Sequence, residues 1–123
     1  MRASWSAKPA SANRGLCPGP VWLKVRVRTT DFVARYGGEE FVVLMSDKLE
    51  YAGVVAERIR ISIQVQCTPK FDPRLHRPVT ASLGVAHIKN ETVSVDALIE
   101  AADRQMYRAK FDGKNCVRIE DTV

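Results

Sequence analysis

Arg35-Tyr36-Gly37-Gly38-Glu39-Glu40-Phe41 sets a glycine pair between two short apolar runs, with two carboxylates directly after it. Phe32-Val33-Ala34 precedes it and Phe41-Val42-Val43-Leu44-Met45 follows, both rich in the β-branched and aromatic residues that suit a pleated surface. A two-residue loop between such runs predicts a tight hairpin, because the favoured turns need positive φ and glycine adopts it without steric cost. Antiparallel pairing across that loop sets Tyr36 opposite Glu39, Arg35 opposite Glu40 and Ala34 opposite Phe41. Glu39 and Glu40 then point to opposite faces. The expectation is that one does chemistry while the other pairs with Arg35 or holds the turn. Beyond the turn, Phe32, Ala34, Phe41 and Val43 share one face and Val33, Val42 and Leu44 the other. A ribbon apolar on both sides wants cover on both sides.

Downstream, Asp47 to Gln66 reads as a helix with Leu49, Ala52, Val55, Ala56, Ile59 and Ile63 along one face, and with Asp47 and Glu50 at capping-box spacing. Pro69, Pro73 and Pro78 interrupt regular structure, so Cys67 to Arg77 reads as a surface loop. Val79 to Ile88 reads as a strand. Val93 to Lys110 reads as a second helix, Ser94 its N-cap and Val95, Leu98, Ile99, Ala102 and Met106 its sheet side, with Tyr107 at the margin. Gly113 stands where a helix terminator belongs, and Asn115 to Ile119 makes a last short strand. Upstream, Val21 to Arg28 alternates like a half-buried strand. Met1 to Pro20 has no periodicity and reads as disordered.

A chain of 123 residues suits one domain. Its net charge of +5 is unevenly spread: residues 1–30 carry six Lys or Arg and no acid, whereas residues 31–123 carry thirteen basic and fourteen acidic residues. The part that folds is nearly neutral, which argues against a nucleic-acid polymer as partner. Cys17, Cys67 and Cys116 lie far apart without metal-ligand spacing, as in a reducing cytoplasm. No run reaches the roughly 18 to 20 apolar residues of a membrane helix.

Gly37-Gly38-Glu39-Glu40-Phe41 resembles the signature of the GGDEF family, the diguanylate cyclase domains of bacterial signalling, in the variant with Glu third. Arg28-Thr29-Thr30-Asp31 resembles the family's RxxD inhibitory motif at its spacing ahead of the glycine pair. Val79-Thr80-Ala81-Ser82-Leu83-Gly84-Val85-Ala86 resembles its T-x-S-x-G-V-A strand. Ala102-Asp103-Arg104-Gln105-Met106-Tyr107-Arg108-Ala109-Lys110, followed by Gly113-Lys114-Asn115, resembles its closing helix and turn. Together these cover Arg28 to Ile119. The resemblance implies a palm-like, ferredoxin-like α/β sandwich: an antiparallel-containing sheet with flanking helices. It also implies a first strand with a D-x-D pattern and a helical segment N-x-x-x-G-H-x-x-G-D, and neither is found. The expectation is therefore a partial domain over residues 21–119, N-terminally truncated and lacking its first strand. Residues 1–20 would be disordered or non-native, a fragment end or a start placed in the wrong frame, and residues 120–123 a tail.

A carboxylate beside a tight glycine turn leaves open space for a phosphate and a hard cation, against the plainer reading of Glu39 as a solvated turn acid. By resemblance Glu39 would ligate Mg²⁺ (or Mn²⁺) and activate a ribose 3′-hydroxyl, and Gly37 and Gly38 would let the backbone approach the nucleotide. Lys110 and Lys114 would contact phosphates, although lysine also suits a helix C-terminus for electrostatic reasons alone. Arg28 and Asp31, with Arg58 as a secondary contact, would bind cyclic di-GMP at the inhibitory site, where arginine grips phosphate and stacks on bases. The implied activity is condensation of two GTP in a cytoplasmic homodimer, impaired in this chain by the absent strand. The alternatives are a non-catalytic cyclic di-GMP-binding module and a truncated product without independent function.

Overall fold

The computed structural model describes residues 2–5, 19–37, 39–46, 49–88 and 92–120. Its elements run β1 (Arg2–Trp5), α1 (Pro20–Lys24), β2 (Phe32–Arg35), β3 (Glu40–Leu44), α2 (Leu49–Gln66), β4 (Ala81–Ala86), α3 (Val95–Phe111) and β5 (Val117–Glu120). The strands form one sheet in the order β2-β3-β1-β4-β5. Only β4 and β5 are parallel; the other neighbours are antiparallel. The chain is thus a mixed α/β sandwich, as expected.

The central strand is the largest departure from expectation. Arg2–Trp5 pairs with β3 on one side and β4 on the other, so the sheet position expected to be empty is filled, and the reading of residues 1–20 as disordered is corrected over this segment. The reason lies in the backbone. β3 and β4 each present a row of donors and acceptors, and an extended segment satisfies them whatever its side chains. Residues 6–18 lie outside the described residues. The alternation over Val21 to Arg28 does not become a strand; Pro20 opens α1 at a position where a missing N–H costs nothing.

The hairpin register is shifted by one residue from the predicted pairing. Arg35 faces Phe41, Ala34 faces Val42 and Val33 faces Val43, and the loop closes where the Tyr36 N–H donates to the Glu40 carbonyl at 2.9 Å. The loop is therefore Gly37-Gly38-Glu39, one residue longer than a two-residue turn, with Gly38 outside the described residues. One residue of slip inverts one strand relative to the other. Val33, not Phe32, joins Phe41 and Val43 at the core, and Phe32 is left 59% exposed.

Alternation along β4 divides the two faces. Ala81, Leu83 and Val85 join Phe41, Val43 and the α2 residues Val55, Ala56, Ile59 and Ile63, with Leu23 of α1, in the main core. On the other face Gly84 meets α3 backbone at Ala102 and Met106, so this helix packs through Ala101, Ala102, Gln105, Met106 and Ala109. Val95 and Tyr107, expected on that side, are exposed. Ser94 caps α3 as predicted, accepting from the Ala97 N–H at 3.1 Å. The proline-rich stretch is no simple surface loop either: Cys67, Asp72 and Leu75 are buried. Asp47 of the predicted capping box lies outside the described residues.

Candidate functional site

Strand register decides which predicted site residues share a region. Phe41, Ala3, Leu83 and Val117 form one row across β3, β1, β4 and β5. One residue toward the hairpin loop, Ser4 sits between Glu40 and Ser82, and the Leu83 N–H donates to the Cys116 carbonyl at 3.0 Å. Glu39 and the Gly113-Lys114-Asn115 turn therefore lie at the same end of the sheet, three strand spacings or about 14 Å apart. α3 delivers Lys110 to this end too, since Gly113 to Cys116 connects it directly to β5.

Each of these groups is held differently. Glu39 is half-buried, and among the described residues nothing hydrogen-bonds or ion-pairs with its carboxylate. Glu40 opens β3, and a Cβ on Gly37 would lie 3.9 Å from its Oε2. Arg35 donates from Nε to the Gly37 carbonyl at 3.2 Å, which braces the loop. Lys110 is half-buried with its Nζ 5.1 Å from the Tyr107 ring centroid. After α3 the chain turns through three successive residues of positive φ, Gly113 at 110°, Lys114 at 65° and Asn115 at 48°. The Lys114 N–H donates to the Ala109 carbonyl at 3.0 Å, closing the helix end.

The fit of a divalent cation follows from this donor set. Mg²⁺ is commonly held by one or two carboxylates together with substrate phosphates. Glu39 offers one such carboxylate, and β1, the strand beside it, reads Arg-Ala-Ser-Trp and offers none. Among the described residues no group of three or more His, Cys, Asp or Glu could hold a metal ion. The described residues therefore do not make a complete metal cage.

Arg28 and Asp31 lie at the opposite end of the sheet, because β2 begins at Phe32, paired with Leu44. Asp31 is buried; its Oδ2 accepts from the Arg28 backbone N–H at 2.9 Å and lies 3.7 Å from the Arg28 Nε. Its Oδ1 is buried without a hydrogen-bond partner. The Arg28 guanidinium stands 4.7 Å from the centroid of the Tyr51 ring, within the range of a cation–π contact. Arg58 follows Tyr51 by two turns of α2, about 10.5 Å along the axis. It is exposed and borders an apolar cleft of about 680 Å³ lined by Gly53, Val54, Ile61 and Ile119 among others.

The structure thus divides the predicted residues between two ends, Gly37, Glu39, Lys110 and Lys114 at one and Arg28 and Asp31 at the other, with Arg58 along the helix between them. Sequence reasoning missed Tyr51, Arg60 and Asn115. Arg60 had one visible signal, its place three residues after Glu57 on a helix. No helix among the described residues is long and apolar enough to cross a membrane.

Residues 22–116 match the sequence model of a family described as "Diguanylate cyclase, GGDEF domain". Diguanylate cyclase DgcS of Shewanella oneidensis is 35% identical over 100 residues, 81% of this chain and 32% of that protein. Response regulator PleD of Caulobacter vibrioides is 41% identical over 96 residues, 77% of this chain and 21% of that protein. The chain thus spans about a third or less of the length of these curated relatives. Among solved structures, the GGDEF domain of DgcB from Caulobacter crescentus in complex with c-di-GMP superposes with a TM-score of 0.67 at 25% identity, covering 79% of this chain and 57% of that one. The active GGEEF domain of a diguanylate cyclase from Vibrio cholerae gives 0.70 at 23% identity, covering 96% and 79%, a likeness of fold.

Proposed function

The chain belongs to the GGDEF family of diguanylate cyclase domains, and from that premise we propose that it retains nucleotide-contacting residues but has little cyclase activity of its own. In the complete reaction two GTP-loaded domains face each other in a cytoplasmic homodimer. Each 3′-hydroxyl attacks the α-phosphate of the opposite GTP, forming two new phosphodiester bonds and releasing two pyrophosphates. The residues assigned here to that chemistry are Glu39, to ligate Mg²⁺ (or Mn²⁺) and take the hydroxyl proton; Lys110 and Lys114, to neutralise phosphate charge; and Gly37 and Gly38, to admit the nucleotide near the backbone. The metal, when bound, would supply charge neutralisation on the phosphates.

The observation that carries this reading is the combination of Glu39, a carboxylate without a partner among the described residues, with a central strand that has no acid in Arg2–Trp5. Glu39 would supply one half of the expected acid pair, and Arg2–Trp5 holds no acid to supply the other. The test is to incubate the purified chain with GTP and Mg²⁺ and quantify cyclic di-GMP by chromatography. Little or no product is expected. Turnover at a rate typical of diguanylate cyclases would overturn the proposal.

A second reading, a module that binds cyclic di-GMP without making it, is favoured by the opposite end of the sheet. Buried Asp31 pins Arg28, Tyr51 supports its guanidinium, and Arg58 borders a cleft. Calorimetry with cyclic di-GMP is expected to show binding by the wild type and its loss in Arg28→Ala. A folded wild-type chain that releases no binding heat removes this reading.

A further inference from the structure

Arg60 makes five polar contacts, to Glu57, Gln64 and Asn115, none of them to a residue assigned above as a nucleotide contact. Its Nε donates to Glu57 Oε2 at 2.9 Å and its Nη2 to Glu57 Oε1 at 2.5 Å, a two-point fork. Its Nη1 donates to Asn115 Oδ1 at 3.0 Å and Gln64 Oε1 at 3.1 Å, and reaches the Asn115 carbonyl at 3.4 Å. The Arg60 side chain is only 16% exposed. Its guanidinium is held above its ordinary pKa, first by the hydrogen bond to Glu57, so it is cationic throughout the working range. Glu57 fixes the guanidinium plane and Asn115 is what that plane reaches, 55 residues away.

Asn115 is the last of the three residues of positive φ, and Lys114 immediately precedes it. A left-handed backbone at a non-glycine residue costs roughly 1 to 3 kcal/mol and persists only where surrounding contacts over-determine it. Two such residues in succession need an external anchor. The Lys114 N–H bond to Ala109 holds one side of the turn, and Arg60 holds the other. We propose that Arg60 is a positioning residue for phosphate recognition: anchored by Glu57, it locks the Gly113-Lys114-Asn115 turn in the one conformation that presents Lys114 toward a nucleotide triphosphate. This rests on the assignment of Lys110 and Lys114 as phosphate contacts. It adds that the contact is pre-organised from α2, the same helix that carries Tyr51 and Arg58, so the phosphate end and the Arg28 end of the sheet share one rigid support.

The test uses the full chain and two readouts. Amide hydrogen exchange at Lys114 reports the turn without any ligand, and calorimetry with GTP and Mg²⁺ reports phosphate recognition. Arg60→Met is expected to speed exchange at the Lys114 amide and to weaken GTP binding about tenfold, within the ordinary range of a coupling between groups. Asn115→Gly, which keeps the Arg60–Glu57 pair and suits the local φ, is expected to reproduce both effects and serves if Arg60→Met does not fold. The double variant should be no worse than Arg60→Met alone, because that substitution already removes both contacts from Arg60 to Asn115. Lys114→Ala separates the levels. If it weakens GTP binding while Arg60→Met and Asn115→Gly do not, the positioning role is overturned and the phosphate assignment stands. If Lys114→Ala has no effect, or the wild type binds no GTP, the phosphate assignment fails and the positioning role falls with it.

Discussion

A Cβ placed on Gly84 would lie 1.9 Å from the backbone oxygen of Ala102 and 2.4 Å from the backbone nitrogen of Met106. No side-chain rotation relieves either contact, since both partners are helix backbone. β4 and α3 therefore touch at a point where only hydrogen fits, and this contact seats the helix that ends at Lys110.

Gly84→Ala is expected to destabilise the chain by about 3 kcal/mol or more, at or beyond the upper end for an overpacked core site. Urea unfolding followed by far-UV circular dichroism measures it. An unchanged midpoint would mean that α3 does not pack on β4 as described.

Glu39 should behave in the opposite way. With no hydrogen bond or ion pair to its carboxylate among the described residues, Glu39→Gln is expected to change stability by no more than about 0.5 kcal/mol, while weakening Mg²⁺-dependent GTP binding. A large loss of stability in the same melt would show that the acid serves the fold and would argue against its role at the nucleotide.

Asp31 is expected to affect both stability and binding. Asp31→Ala leaves the Arg28 backbone N–H without its acceptor, at a cost of about 1 to 3 kcal/mol, and Asp31→Asn, which keeps an acceptor there, should cost less. Both should lose cyclic di-GMP binding if the carboxylate orients the Arg28 guanidinium. Thermal melts and calorimetry on the two variants separate these effects.

Glu57 sets a pH dependence. The hydrogen bond from Arg60 holds its carboxyl below the ordinary value of 4.5, against the opposing pull of burial. A depressed acid contributes stability that is present above its unfolded pKa and is lost as pH falls through the folded one. The difference in midpoint between wild type and Glu57→Gln is therefore expected to be constant above about pH 5 and to shrink in more acid solution. The contribution is modest, because the carboxylate is 46% exposed and screened by solvent. A difference that grows toward acid pH would reverse the assignment.

Local signals were legible where a single residue type answers a single backbone need. Ser94 caps α3 because a short hydroxyl side chain reaches the N–H three residues on, and Gly113 ends the helix region at a φ of 110°. The apolar periodicity of α2 foretold Val55, Ala56, Ile59 and Ile63 as its buried face. Register was harder. Two glycines fit a two-residue loop, but the loop takes in Glu39 as well, and that one residue turned Val33 inward and Phe32 outward. Contacts between distant segments, such as Arg60 with Asn115 and Arg28 with Tyr51, leave no trace in local pattern.

By itself the sequence determined the hairpin, the two long helices with the Ser94 cap, and the strands that follow each of them, because propensity, capping and alternation act over a few neighbours. Tertiary structure alone decided that Arg2–Trp5 enters the sheet between β3 and β4, that Glu39 and Lys114 lie at one end of the sheet while Asp31 stands at the other, and that Arg60 braces the turn between α3 and β5. Strand order and the reach of a long side chain depend on which backbones come to lie side by side, and that follows from the simultaneous burial of all the apolar faces.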